Sequence, residues 1–576
     1  MTFLPIIDRE LRVAGRKRST FWLRIAAALV AIVIGAAIML LARFGAFRTA
    51  TLGSALFGIL TWLALGAALS AGVFFTSDCL SEEKREGTLG FLFLTDLRGY
   101  DVAGGKLLAT SLRGCFALLA IFPILATTLL MGGVTGLTFW ERTLALVNAL
   151  FCSLAAGLFV SAVSRDPQRA LAGTVGLLLL WLAAGPLADG LLGMFRRGTP
   201  GAVFSNSSPL YVFSQVGAWG PKSFWRGLLV NQVIAWVLFS LACALVPRTW
   251  QERRTRATAF SSSKWRYAWR YGGARRRAAL RRKLIDRNAV LWLASRERWQ
   301  SLGVWVIAVL ATGVLVAMLA AGAAAELWVA WNSLSWIFIW LLYLWLASQS
   351  CRFFLEARRS RLIELLMAAP VSVRDIVDGQ WQALLRLFAR PVILLMLMYS
   401  VAAVAAYANM GRVGGAPWGG LSTALLSAGV VLVTVPLNLA ALCWFGMWTG
   451  MTCRSNNLGT LKTLALVQVV PGMAIFFAAS MAFPLILLPL LFKGGLWSTT
   501  ASSWMSTNWA RWYPAITLGL SAVLSLSKDV AFIYWSRRKL YSSFRQQATR
   551  SLQPFRYVAV PAVPPPVPAP PVIQVQ

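Results

Sequence analysis

The sequence predicts an all-α membrane protein with about twelve transmembrane helices, arranged as two parallel six-helix repeats. Three observations predict it. The 576 residues are 58% hydrophobic and only 13% charged, too apolar for one soluble core. Apolar runs of roughly 20 residues recur, each long enough to cross a ~30 Å hydrocarbon layer as a helix, without the alternation of a barrel. Finally, a segment of the first half returns in the second.

The spans fall at about 21–42, 51–75, 107–131, 143–164, 170–193 and 224–247, then 303–322, 330–350, 385–407, 421–450, 462–491 and 512–535. The first run exceeds a signal-peptide core and no A-x-A site follows, so it reads as an uncleaved span. These runs divide the chain into a first half, 1–247, a basic linker, 248–283, a second half, 284–550, and a Pro-rich tail, 551–576. The stretch 247–298 carries 16 basic against 3 acidic residues, interleaved with Trp265, Tyr267, Trp269 and Tyr271. It reads as a cytoplasmic tether held to anionic headgroups. The tail, PAVPPPVPAPP within it, is expected to be extended, because proline has a fixed φ and no amide donor.

A formal charge of +35 would suggest nucleic acid in a soluble protein. Here most of the 55 Lys and Arg fall on the side that holds both termini. That asymmetry is a topology signal: both termini are expected on the cytoplasmic side of the inner membrane, with the bilayer and no nucleic acid as partner. The cysteines (79, 115, 152, 243, 351, 443 and 453) form no CxxC pair, and there is no histidine. Neither a metal site nor a disulfide framework is indicated, and enzymatic chemistry loses its usual base.

Before the first span of each half stands Arg-Glu, as Arg9-Glu10 and Arg296-Glu297. After the second span, SEEKREGTLGFLFLTDLRGYDVAGGKLLATSLR aligns without gaps on LEARRSRLIELLMAAPVSVRDIVDGQWQALLR. In that register Glu82 meets Glu356, Asp101 meets Asp375 and Gly105 meets Gly379, so the chain reads as two copies. An even number of spans per copy makes the halves parallel, with the natural pathway between them.

The centre of the repeated segment, TLGFLFL (88–94), is apolar yet too short to span. It needs a groove in the bundle, the interface plane or a partner protein, and 362–369 poses the same problem. The pattern Glu83, Gly87, Thr88, Leu89, Thr95 and Leu97, followed by Gly105-Lys106, resembles the segment between the second and third spans of ABC-2-type transporter permeases. Glu364-Leu365-Leu366 and Ala369-Pro370-Val371-Ser372 resemble it again. The resemblance implies a coupling helix in each half that seats in an ABC ATPase subunit, with ATP and Mg bound there and no cofactor bound by this chain. It places that role on Glu83, Glu86, Gly87, Thr88, Leu89, Leu92, Thr95 and Leu97, and on Glu356, Arg361, Leu362, Glu364, Leu365, Leu366 and Pro370. The Arg-Glu stretches resemble the family's amphipathic connecting helix, and residues 206–211 its external hairpin. Two departures stand out: Asp96 where proline is usual, and Arg361-Leu362 where Gly-Thr is usual, which predicts that the second segment docks differently or less tightly.

No G-x-x-x-x-G-K-[ST] occurs. Gly105-Lys106 is followed by Leu107, which offers Mg no hydroxyl, so this chain is not expected to be an enzyme and hydrolysis belongs to the partner. Such a chain would be an exporter permease whose substrate (lipid, polysaccharide, peptide or drug) the sequence leaves open. An ion-coupled secondary transporter, an intramembrane transferase and a mechanotransmission or scaffold protein are the rival readings. Ionisable residues within spans, Asp189 and Lys528-Asp529, are functional candidates by default, though an adjacent pair can neutralise itself. Arg113, Arg386 and Arg390, near the starts of spans, are expected to snorkel. Asn231, Gln232, Asn438 and Gln468 are expected to join neighbouring helices, and Gly446-x-x-x-Gly450 permits close helix approach.

Overall fold

A computed structural model describes residues 18–43, 49–94, 98–196, 203–217, 221–249, 273–295, 299–320, 324–410, 419–482 and 499–549. Arg9-Glu10, residues 95–97, most of the linker with its aromatic residues, Arg296-Glu297 and the tail lie outside the described residues, as does the side chain of Leu92.

The described chain is helical. The first half comprises α1 (Arg18–Arg43), α2 (Thr49–Ala71), α3 (Cys79–Glu86), α4 (Thr88–Leu94), α5 (Gly99–Leu130), α6 (Gly136–Val163), α7 (Pro167–Arg196), α8 (Pro209–Ser214) and α9 (Pro221–Thr249). α10 (Ala274–Ile285) covers the end of the linker, and the second half comprises α11 (Ala289–Ser295), α12 (Trp299–Ala320), α13 (Ala324–Arg359), α14 (Leu362–Ala368), α15 (Val373–Met410), α16 (Gly419–Thr452), α17 (Asn456–Leu464), α18 (Val470–Ala482) and α19 (Thr499–Thr549). Among the described residues 10 helices are long and apolar enough to cross a membrane. Two more, α1 and α12, carry the shorter apolar runs Arg24–Met39 and Leu302–Val316, so ten of the twelve expected spans reach that length.

Short side chains set how closely the helices approach. Beyond α2 the chain continues as a π-helical turn, Gly72–Thr76, packed on α6. A Cβ on Gly72 would lie 1.9 Å from Ser153 O, and one on Gly157 would lie 2.2 Å from Thr76 Oγ1. Only hydrogen fits there, and the closeness lets Thr76 Oγ1 donate to Leu154 O at 3.1 Å and Ser153 Oγ to Ala68 O at 2.6 Å. In the second half α13 meets α16 in the same way: a Cβ on Gly450 would stand 2.4 Å from Cys351 O, and one on Gly446 1.9 Å from Ser350 Oγ. Without a hydrophobic drive between helices in lipid, such close packing and interhelical hydrogen bonds hold the bundle.

Other pairings recur between the halves. α6 packs on α2 and α9, and α1 on α5; in turn α16 packs on α13 and α19, and α12 on α15. Two polar contacts join spans, Asn148 Nδ2 donating to Gln232 Oε1 at 2.8 Å and Lys528 Nζ to Asn438 Oδ1 at 2.8 Å; Asn231 Nδ2 instead reaches Asn206 O, in the short turn before α8, at 3.1 Å, and Gln468 Oε1 is buried without a hydrogen-bond partner. Lys528 also pairs with the fully buried Asp529 at 2.9 Å. At the far end of α7, Asp189 accepts from Phe204 N and from both Ser205 N and Ser205 Oγ. That carboxylate ties down the segment after α7.

Candidate functional site

The two short helices α4 and α14 are built alike. Each follows a residue whose left-handed backbone turns the chain sharply: Gly87 at φ 74° and Arg361 at φ 57°. One face of each then seats in its own half. Leu89 is 1% exposed and packs among Leu80, Val102, Ala103 and Leu107, while Ile363 is 2% exposed in the second-half core with Leu362, Leu366 and Met367 against it. Leu89 is therefore a packing residue of the bundle. Turned outward instead are Leu94, 79% exposed, and Leu365, 69% exposed. Glu86, Gly87, Thr88, Arg361, Glu364 and Pro370 are exposed around them. Glu83 does not join this surface; it pairs with Lys106 at 2.6 Å, holding α3 to α5.

Both helices lead into a span capped by an aspartate. Asp101 Oδ2 accepts from Arg98 N at 3.0 Å, and Asp375 Oδ2 from Ser372 N at 3.3 Å and Ser372 Oγ at 2.6 Å. These are the two aspartates that the sequence register pairs. The other pair in that register, Glu82 and Glu356, diverges: Glu82 reaches Arg359 in the opposite half at 3.3 Å, whereas Glu356 binds Arg352 of its own helix at 2.7 Å.

The bases of the short helices are bolted down by cations that the motif did not single out. Lys84 Nζ donates to Ala162 O and to Thr249 Oγ1, and Arg85 to Arg165 O at 2.8 Å. In the second half Arg358 donates to Met451 O and Arg359 to Arg454 O at 2.8 Å. Cations at the last carbonyls of α6 and α16 satisfy groups that have no partner within their helix and complement its dipole. The end of α3, just before α4, and the end of α13, just before α14, are thereby fastened to the ends of α6 and α16. The dibasic Lys84-Arg85 and Arg358-Arg359, matching in the repeat register, was the sequence signal for this. Cys453, in the turn after α16, is buried, and burial pushes its thiol up against the pull of Lys462 and Arg358.

Polar contacts also cross between the halves. Arg352, 8% exposed, donates to Gln168 Oε1 at 2.5 Å, and Asn457 Nδ2 donates to Ser77 Oγ at 2.9 Å. Gln168 and Asn457 are each the second residue of their helices, α7 and α17. The two contacts are thus counterparts, each joining the start of one helix to the foot of the second span of the other half. Phe74 packs on the second-half core, and Leu344 on a first-half cluster. None of the four polar partners stands out in the sequence.

No protein-family model and no curated protein matches the chain.

Proposed function

We propose that this chain is the membrane-spanning permease subunit of an ABC-type exporter, with two six-helix halves of the same orientation fused in one polypeptide. Twelve spans then cross the cytoplasmic membrane, both termini and the two short helices face the cytoplasm, and a separate ATPase subunit docks on α4 and α14. The observation that carries this reading is the matched pair of seven-residue helices, each seated by an inward aliphatic residue and turning one leucine outward. Their cationic anchors on α6 and α16 supply a rigid link from a docked partner to the spans. The seam through α2, α7, α13 and α17 supplies two surfaces that can part, as alternating access requires.

Co-purification tests it. From mild detergent the chain should bring down a nucleotide-binding protein with ATPase activity, and Leu94→Asp together with Leu365→Asp should release it while the chain keeps its thermal transition. Both positions are solvent-facing, so the bundle has no reason to unfold. A chain recovered alone, or one whose partner ignores both changes, would sink the reading. Lys528 and Asp529 do not favour an ion-coupled transporter, since their charges cancel within one pair.

A further inference from the structure

A cavity of about 660 Å³ lies at the end of the bundle that carries α4 and α14, between α3 of the first half and α11, α13 and α15 of the second. That volume is in the usual range for a small-molecule site. Its lining mixes apolar side chains, Phe353, Leu384 and Leu387, with the charged Arg85, Arg352, Glu356 and Arg359. A cavity with such a mixed lining at the foot of the apolar helices α13 and α15 suits an amphiphile from the adjacent leaflet better than a wholly polar solute.

The charges narrow the head group. Every guanidinium that lines it already has a carboxylate: Asp78 for Arg85 at 2.9 Å, Glu356 for Arg352 at 2.7 Å and Glu82 for Arg359 at 3.3 Å. The lining therefore offers both signs rather than an excess of positive charge, and a lone anion gains little there. On α15, one turn from Leu384, the lining also includes Gln380, 3% exposed, whose Oε1 has no hydrogen-bond partner. A buried acceptor in that state calls for a donor.

We propose that this cavity binds one zwitterionic amphiphile whose cationic end carries N–H donors. The acyl chain lies along Phe353, Leu384 and Leu387. The anionic part of the head group faces Arg359, and the ammonium faces Glu356 and Gln380. The site belongs to the chain itself and does not depend on an ATPase partner.

The test uses the purified full chain in detergent, titrated with dioctanoyl phosphatidylethanolamine, phosphatidylcholine and phosphatidic acid, with retained lipid counted by native mass spectrometry. The first two lipids share charge and chains and differ in N–H donors. One phosphatidylethanolamine per chain should be retained about tenfold more tightly than phosphatidylcholine, the scale of one hydrogen bond to a charged group. Gln380→Leu should abolish that preference, and Leu384→Trp should abolish retention of all three. Gln380→Leu removes an unsatisfied polar group, so the fold should tolerate it, and an unchanged thermal transition checks this. No saturable binding, equal retention of the first two lipids, tighter retention of phosphatidic acid, or a preference that survives Gln380→Leu would each overturn the proposal.

Discussion

Gly87 and Arg361 hold the same left-handed backbone, each one residue before a seven-residue helix. Arg361 is the single non-glycine residue with positive φ among the described residues. An L side chain in that region costs about 1–2 kcal/mol. Arg361→Gly should therefore raise stability by about 1 kcal/mol, and Gly87→Ala should lower it by about 1–2 kcal/mol. Chemical unfolding in detergent checks both; no gain from Arg361→Gly together with no loss from Gly87→Ala would show that the turn is not strained.

The close approach of α13 and α16 rests on Gly450. Gly450→Ala drives a methyl into the Cys351 carbonyl, which cannot step aside, and should cost about 1–3 kcal/mol. Gly66→Ala, where nothing lies within 4 Å, is the control and should leave the thermal transition in place.

Arg352 and Gln168 meet across the halves with both side chains buried. Gln168→Leu should destabilise by about 1–3 kcal/mol, because it leaves a buried guanidinium with one acceptor fewer. In a double-mutant cycle with Arg352→Met, a coupling energy of about 1 kcal/mol or more is expected. A value near zero would mean that this contact does not hold the seam.

The caps of α5 and α15 should be interchangeable in strength. Asp101→Ala and Asp375→Ala each remove a side-chain acceptor from the first turn of a long helix, and each should cost about 1 kcal/mol. Hydrogen exchange confined to the first turn would locate the loss.

Much of the fold was legible because bilayer crossing imposes a length and a composition. The runs that became α5, α6, α9 and α16 stand out on hydropathy alone. The repeat register was legible too: Asp101 and Asp375 cap the same position, and the turn before α4 and α14 survives the exchange of glycine for arginine. The site was only half legible. The apolar pattern of residues 88–94 does not show which side chains turn inward: the bundle buries Leu89 and leaves Leu94 exposed. A seven-residue apolar helix allows any of its faces to turn inward until Gly87 fixes the angle at which it leaves α3.

By itself the sequence determined that the chain is helical, that its runs are long and apolar enough for a membrane, and that one short segment of the first half has a gapless counterpart in the second. Those properties follow from local rules: apolar length, the absence of backbone satisfaction in lipid, and a gapless internal match. Only the tertiary structure decided that Ser77 meets Asn457, that Arg352 meets Gln168 and that Glu82, unlike Glu356, crosses to the other half. Such partners are 184 to 380 residues apart and have no period. Their pairing depends on how two bundles pack, and on the exchange of Asp78 for Arg352 at one register position, which keeps Arg85 and Glu356 each occupied within its own half.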